Sequence, residues 1–106
     1  MLILLPTLVL GSPEQEKAVE RVQEKLKRIV YVKSNGKKSP EKTLLSQSGN
    51  CLESAKLAVY LLKQEGIKAK IRIEPTHKPR IKHAVVIYKI GIRTYRISNG
   101  KTTQTW

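Results

Sequence analysis

"SGNCLESAKLAVYLLKQEGIKAKIRI", residues 48–73, changes its periodicity once, and that change decides the fold class. Cys51, Ala55, Ala58 and Leu62, with Leu61 beside them, recur at helical spacing, which predicts a helix starting near residues 48–50 with one buried stripe. Gly66 closes it, since a residue without a side chain suits a left-handed helix cap. Beyond the glycine the period falls to two. Ile67, Ala69, Ile71 and Ile73 alternate with Lys68, Lys70 and Arg72, the pattern of a half-buried strand with a basic outer face. The chain's single cysteine therefore sits at the mouth of a buried helix that feeds a sheet.

Working outward, "EPTHKPR" (74–80) is a loop held by two prolines. "HAVVIYKI" (83–90) is a near-continuous apolar run with the composition of a central strand, and "IRTYRIS" (92–98), after Gly91, is its hairpin partner. Upstream, Ser12-Pro13-Glu14-Gln15 has the form of a helix start, a capping serine followed by proline at the first helical position. Val19, Val22, Leu26 and Ile29 carry the apolar stripe of that helix, which is expected to end near Val32. "KSNGKKSPEKT" (33–43) is a polar loop with an Asn-Gly turn and a Ser-Pro break, and a short helical turn is expected at Pro40–Leu45. The order is helix, helix, three strands, an α+β arrangement.

The length of 106 residues allows one domain with one modest core, assigned to residues 13–106. A composition of 40% hydrophobic and 27% charged residues excludes a disordered tail. One cysteine excludes an internal disulfide, and no Cys/His cluster has zinc-site spacing, so neither metal nor cofactor is expected. Net charge is +13 and uneven: residues 67–106 carry ten Lys/Arg against one Glu, whereas residues 41–66 carry three against three. Such a field favours anionic partners, including acidic peptides and, non-specifically, nucleic acid. With few aromatics and no stacking motif, sequence-specific nucleic-acid readout is not expected. "MLILLPTLVLGS" (1–12) is apolar for ten residues, too short to span a bilayer, and lacks the basic start of a secretory signal. Three readings stand for it: an uncleaved signal-like segment, an extra buried strand, or a hydrophobic arm. The compartment is correspondingly open, cytoplasmic or exported through an atypical signal.

Thiol chemistry needs the thiolate, and a helix N-terminus favours it through unpaired N–H groups and the helix dipole. Cys51 occupies such a position. The chain has only two histidines to act as a base. His77 lies in the proline-bounded loop and reads as a solvated residue, whereas His83 opens the apolar strand, where it would be held rigidly. A third polar group should orient the imidazole from the neighbouring strand, whose end offers Ser98 and Asn99. Against this, lone cysteines are commonly small core residues, and Asn99-Gly100 is also an ordinary turn pair.

"GNCLESAKLAVYLLKQEGIKAKIRI" resembles the cysteine-bearing segment of the transglutaminase-like superfamily: Gly-x-Cys, a small and apolar helix, Leu-Leu, Gly-Ile-x-Ala, then a strand. "HAVVIYKI" resembles that family's His-Ala strand, and "RIVYVKS" followed by "SPEKTLLSQSGNC" resembles its leading helix and the loop into the cysteine. The resemblance spans residues 14–100. It implies a papain-related α+β core, with the cysteine on a helix N-terminus packed on a three-stranded antiparallel sheet. By the resemblance Cys51 matches the nucleophile and His83 the base. Where the family has aspartate, this chain has Ser98, or Asn99 if the hairpin is one residue longer; Asn99 is favoured because an amide accepts a hydrogen bond from imidazole more strongly than a hydroxyl does. The Cys51 N–H, with Gln47 or Asn50, would form the oxyanion hole. Lys78, Arg80 and Lys82 are either surface charge or an entrance that selects acidic substrates.

These readings converge on a small cysteine peptidase or acyltransferase. It would act on peptide or isopeptide amides through a Cys51 thioester, and hydrolysis suits so small a domain better than transfer. The alternative is a catalytically degenerate binding module of the same fold that uses its basic surface to hold an anionic partner.

Overall fold

In a computed structural model, residues 13–76, 82–98 and 101–104 are described, the last four by their backbone alone. The first helix, α1, runs Pro13–Lys27, shorter than expected. The reason is the β-branched run that follows it: Val30 donates its N–H to Gln47 O (2.9 Å) and Val32 to Gly49 O (3.0 Å), so the chain leaves the helix for a two-residue strand, β1 (Val30–Tyr31). Its partner β2 (Ser48–Gly49) lies parallel to it, between a short helix α2 (Pro40–Ser46) and the long helix α3 (Cys51–Gln64). The expected turn of helix at Pro40 is present, capped by the Ser39 side chain. Gly66, two residues past α3, has φ +80, the left-handed conformation anticipated from its place in the sequence.

The four strands that follow form one antiparallel sheet in sequence order: β3 (Ala69–Pro75), β4 (Lys82–Ile90), β5 (Arg93–Ser98) and β6 (Lys101–Gln104). The three expected strands are present. A fourth, β6, extends them, pairing Ile97 with Thr102 and Ser98 with Lys101. Its residues, Lys101-Thr102-Thr103-Gln104, carry no apolar alternation to announce it.

One face of this sheet carries the core. Ala84, Val86, Tyr88 and Ile90 of β4 and Ile97 of β5 join Val19, Val22 and Leu26 of α1 and Ala55, Ala58, Leu61 and Leu62 of α3 in a single buried cluster. Tyr88 stacks on its cross-strand neighbour Tyr95, ring centroids 5.2 Å apart. The opposite face is polar. There Glu74 of β3 bonds Arg96 of β5 (2.6 Å) and Arg72 (2.7 Å), while Val85, on the same side by strand alternation, is fully buried. Among the described residues no helix is long and apolar enough to cross a membrane.

Candidate active site

The mouth of α3 is built from a reciprocal cap. Asn50 Oδ1 accepts from Glu53 N (2.9 Å), and Glu53 Oε1 accepts from Asn50 N (3.0 Å). Ser54 N reaches Asn50 O (2.9 Å), so among the described residues the first-turn N–H groups without a partner are those of Cys51 and Leu52. They aim positive dipole ends at whatever stands beside the thiol.

Glu53 does a second job. Its other oxygen accepts from Lys38 N (3.0 Å), which ties the loop before α2 to the first turn of α3. Asn50 Nδ2 donates to Ser34 O (3.2 Å) and Lys56 Nζ to Gly36 O (2.7 Å), pinning the same loop. Glu53 is buried, and burial pushes its carboxyl up. The Ser34 side chain, the N–H groups of Lys38 and Asn50, and the Lys38 charge outweigh that and hold it below the usual range. Gly49 lies against this carboxylate: a Cβ there would stand 3.0 Å from Glu53 Cβ and 3.2 Å from Thr43 Cγ2. The glycine two residues before the cysteine is therefore a requirement for space.

Cys51 is half-buried between two hollows. The one toward the sheet, against Ala84, Val86 and Ile97, holds about 10 Å³, no more than a single water. The other is a groove of about 120 Å³ at the end of α1, walled by Leu26, Ile29 and Tyr31 on one side and Gly49, Asn50 and Ser54 on the other. The thiol thus has an apolar back and an accessible front.

His83 lies one residue from Ala84, hence at the end of β4 that α3 brings to Cys51. Strand alternation sets its ring on the polar face of the sheet, where Nε2 lies 2.7 Å from Ser98 Oγ. No hydrogen bond joins the imidazole to the thiol among the described residues. Among the described residues Ser98 makes a side-chain hydrogen bond with His83; Asn99, which the sequence favoured, lies outside the described residues, as do His77, Lys78 and Arg80. Lys82 is exposed. Of the two oxyanion candidates, Asn50 accepts from Glu53 N through Oδ1 and donates one Nδ2 hydrogen to Ser34 O. Gln47 is exposed, with φ 53, and its carbonyl holds β1.

A profile of the transglutaminase-like superfamily matches residues 5–103. The chain belongs to that superfamily. A comparison with curated proteins finds no match. In this transglutaminase-like chain the Gly-x-Cys signature has a local explanation, because Asn50-x-x-Glu53 is a capping box whose carboxylate crosses Gly49. That box was legible in the sequence as Asn followed three residues later by Glu. The Ser98 contact was also legible in principle. A two-residue turn at Gly91-Ile92 pairs Ile90 with Arg93, and counting back from it gives Ser98 and His83 the same face of the sheet.

Proposed function

We propose that the protein is a small cysteine-dependent enzyme acting on peptide or isopeptide amides, with Cys51 as nucleophile and His83 as proton carrier. The observation that supports this most is the placement of the thiol. It stands at the first position of a capped helix, beside two unpaired N–H groups, and opens onto a groove. Membership of the superfamily supports the same class of fold and chemistry.

In the proposed reaction, Cys51 Sγ gives its proton to His83 and attacks the substrate carbonyl carbon. The oxyanion is met by the Cys51 and Leu52 N–H groups. The C–N bond then breaks, the leaving amine takes the proton from His83, and a thioester remains on Cys51. Water, deprotonated by His83, attacks that thioester, releasing the carboxylic acid and restoring the thiol. Ser98 acts through His83 by holding the ring. To take the thiol's proton the imidazole must leave Ser98 and pass around the end of β4 to the face that Cys51 occupies, so Ser98 holds the resting position of the ring.

A neutral hydroxyl where the family has a carboxylate favours a second reading, a binding module that has lost catalysis. Alkylation of Cys51 by iodoacetamide across pH separates the two. An enzyme reacts well below the pH at which a free thiol does, and His83→Ala abolishes that advantage; a module reacts as an ordinary buried thiol, with no effect of His83→Ala.

A further inference from the structure

We propose that the polar face of the sheet, at the end remote from Cys51, binds an acidic segment of a partner protein with an apolar residue at its centre. The proposal stands apart from the chemistry of Cys51, because Lys89 lies six residues along β4 from His83, about 20 Å away.

A shallow hollow of about 370 Å³ is lined by Lys68, Lys70 and Lys89 together with Ile87. No residue of α1 or α3 lines it, so it opens on the face that the helices leave uncovered. The register sets Lys70 opposite Ile87 and, one step beyond the Ala69 and Tyr88 pair, brings Lys68 level with Lys89. Opposed side chains stand roughly 5 Å apart at Cβ, and diagonal ones such as Lys70 and Lys89 roughly 7–8 Å apart. All three lysines are exposed, and Ile87 is half-buried. Among the described residues, none of the three ammonium groups has a hydrogen bond or an ion pair, and no acid lines the hollow. Glu74, on the same face, is occupied by Arg72 and Arg96.

Like charges set opposite one another on paired strands destabilise the sheet. Lysines on β3 alone would be accounted for as guards of a margin strand, but Lys89 belongs to β4, an interior strand. The third lysine instead makes positive charge converge over an apolar floor. Charge and shape then select the occupant. Carboxylates match the ammonium groups and relieve their repulsion, while one aliphatic side chain matches Ile87, walled by the apolar stems of the lysines. A nucleic-acid strand fits less well: it leaves Ile87 uncovered, and the stacked tyrosines of the sheet, Tyr88 and Tyr95, pack on the core side and offer its bases no platform here.

The test uses the full-length protein at low salt and fluorescent peptides about eight residues long, with leucine between glutamates, serine between glutamates, or leucine between lysines. The expected result is binding of the glutamate–leucine peptide at least about tenfold tighter than either of the others. Lys68→Gln with Lys70→Gln and Lys89→Gln should weaken it at least about tenfold, and the Tm of that variant should not fall, since mutual repulsion has been removed. Ile87→Thr should weaken the leucine peptide and not the serine one. Lys17→Gln with Lys25→Gln and Arg28→Gln takes the same charge from exposed positions on and just after α1 and should change affinity less than about threefold. Equal losses in the two triple variants would assign binding to net charge and overturn the proposal. Equal affinity for the leucine and serine peptides, tighter binding of an oligothymidylate of equal charge, or no binding up to about 1 mM would overturn it as well.

Discussion

Gly49 and Gly66 bracket α3 and are glycines for different reasons. At Gly66 nothing lies within 4 Å of an added Cβ, but φ is +80, so only conformation resists a side chain. Gly66→Ala is expected to cost about 1 kcal/mol, and Gly66→Asn less, because asparagine visits the left-handed region more readily. At Gly49 the constraint is volume, with a Cβ meeting Glu53 Cβ at 3.0 Å, an atom close to the backbone that cannot swing aside. Gly49→Ala is expected to cost about 1–3 kcal/mol, with Gly49→Asn worse than Gly49→Ala. Urea titration of the four variants checks this through the opposite ranking of Ala and Asn at the two sites. A similar contrast applies to Ser98. On the proposed function, Ser98→Asp adds a negative charge beside the imidazole, favours the thiolate–imidazolium pair, and should raise the rate of Cys51 alkylation about tenfold, with Ser98→Ala lowering it. Equal rates in the three proteins would remove Ser98 from the site. Cys51 and His83 were legible because their positions depend on neighbours in sequence, a helix start and a strand start. The choice between Ser98 and Asn99 as partner of His83 turns on a one-residue register, which reverses the face of every side chain, so it was harder to read from sequence.

Among the elements, β3 and β5 are joined across β4 by an ion-pair cluster with a readable pH signature. Glu74 is held down at about 2, first by the hydrogen bond from Arg96 and then by that from Arg72, against the upward push of burial. A carboxyl depressed in the folded state stabilises the fold fully above its ordinary value of 4.5 and ceases to do so as pH falls from there toward about 2. With Arg72 half exposed, the contribution is about 1–2 kcal/mol, smaller than the full shift implies. Wild type should therefore exceed Glu74→Gln in stability at about pH 6, and the gap should close between about pH 5 and pH 2. Parallel curves in urea titrations over that range would show that the cluster does not couple the strands. The elements recovered from sequence are those with a strong period, α1, α3, β3, β4 and β5, and α2, announced by its Ser-Pro start. β1 and β2 were missed because strands of two residues have no period, and they exist through pairing between segments some 18 residues apart. β1 also took the end that periodicity had given to α1, a case of tertiary pairing overriding local pattern.

At the scale of the molecule, 21 basic residues face 8 acidic ones, and the question is whether repulsion or pairing governs the fold's response to salt. The ion pairs of the described residues are Arg21–Glu65, Lys27–Glu24, Arg72–Glu74 and Arg96–Glu74, and all but the last have a partner at least half exposed. Exposed pairs are each worth less than about 1 kcal/mol and salt weakens them, so on their account added salt destabilises. The uncompensated charge acts in the opposite direction. An excess of 13 positive charges on a domain this small repels itself more in the folded state than in the expanded one, and the Debye length shortens from about 30 Å at 0.01 M to below 10 Å above 0.15 M, which relieves it. Repulsion involves every excess charge, whereas pairing among the described residues involves only three glutamates, Glu24, Glu65 and Glu74, so repulsion should win. Tm should rise by about 4 °C between about 0.01 M and 0.3 M sodium chloride, equivalent to about 1 kcal/mol. A variant with Lys68→Gln and Lys70→Gln separates this from a general effect of salt on burial. It removes two exposed cations from the basic margin of β3, so its Tm should be higher at low salt and its rise with salt smaller. A Tm that falls with salt, or a variant whose salt response matches wild type, would mean that the few ion pairs, and not the excess charge, set the electrostatics of the fold.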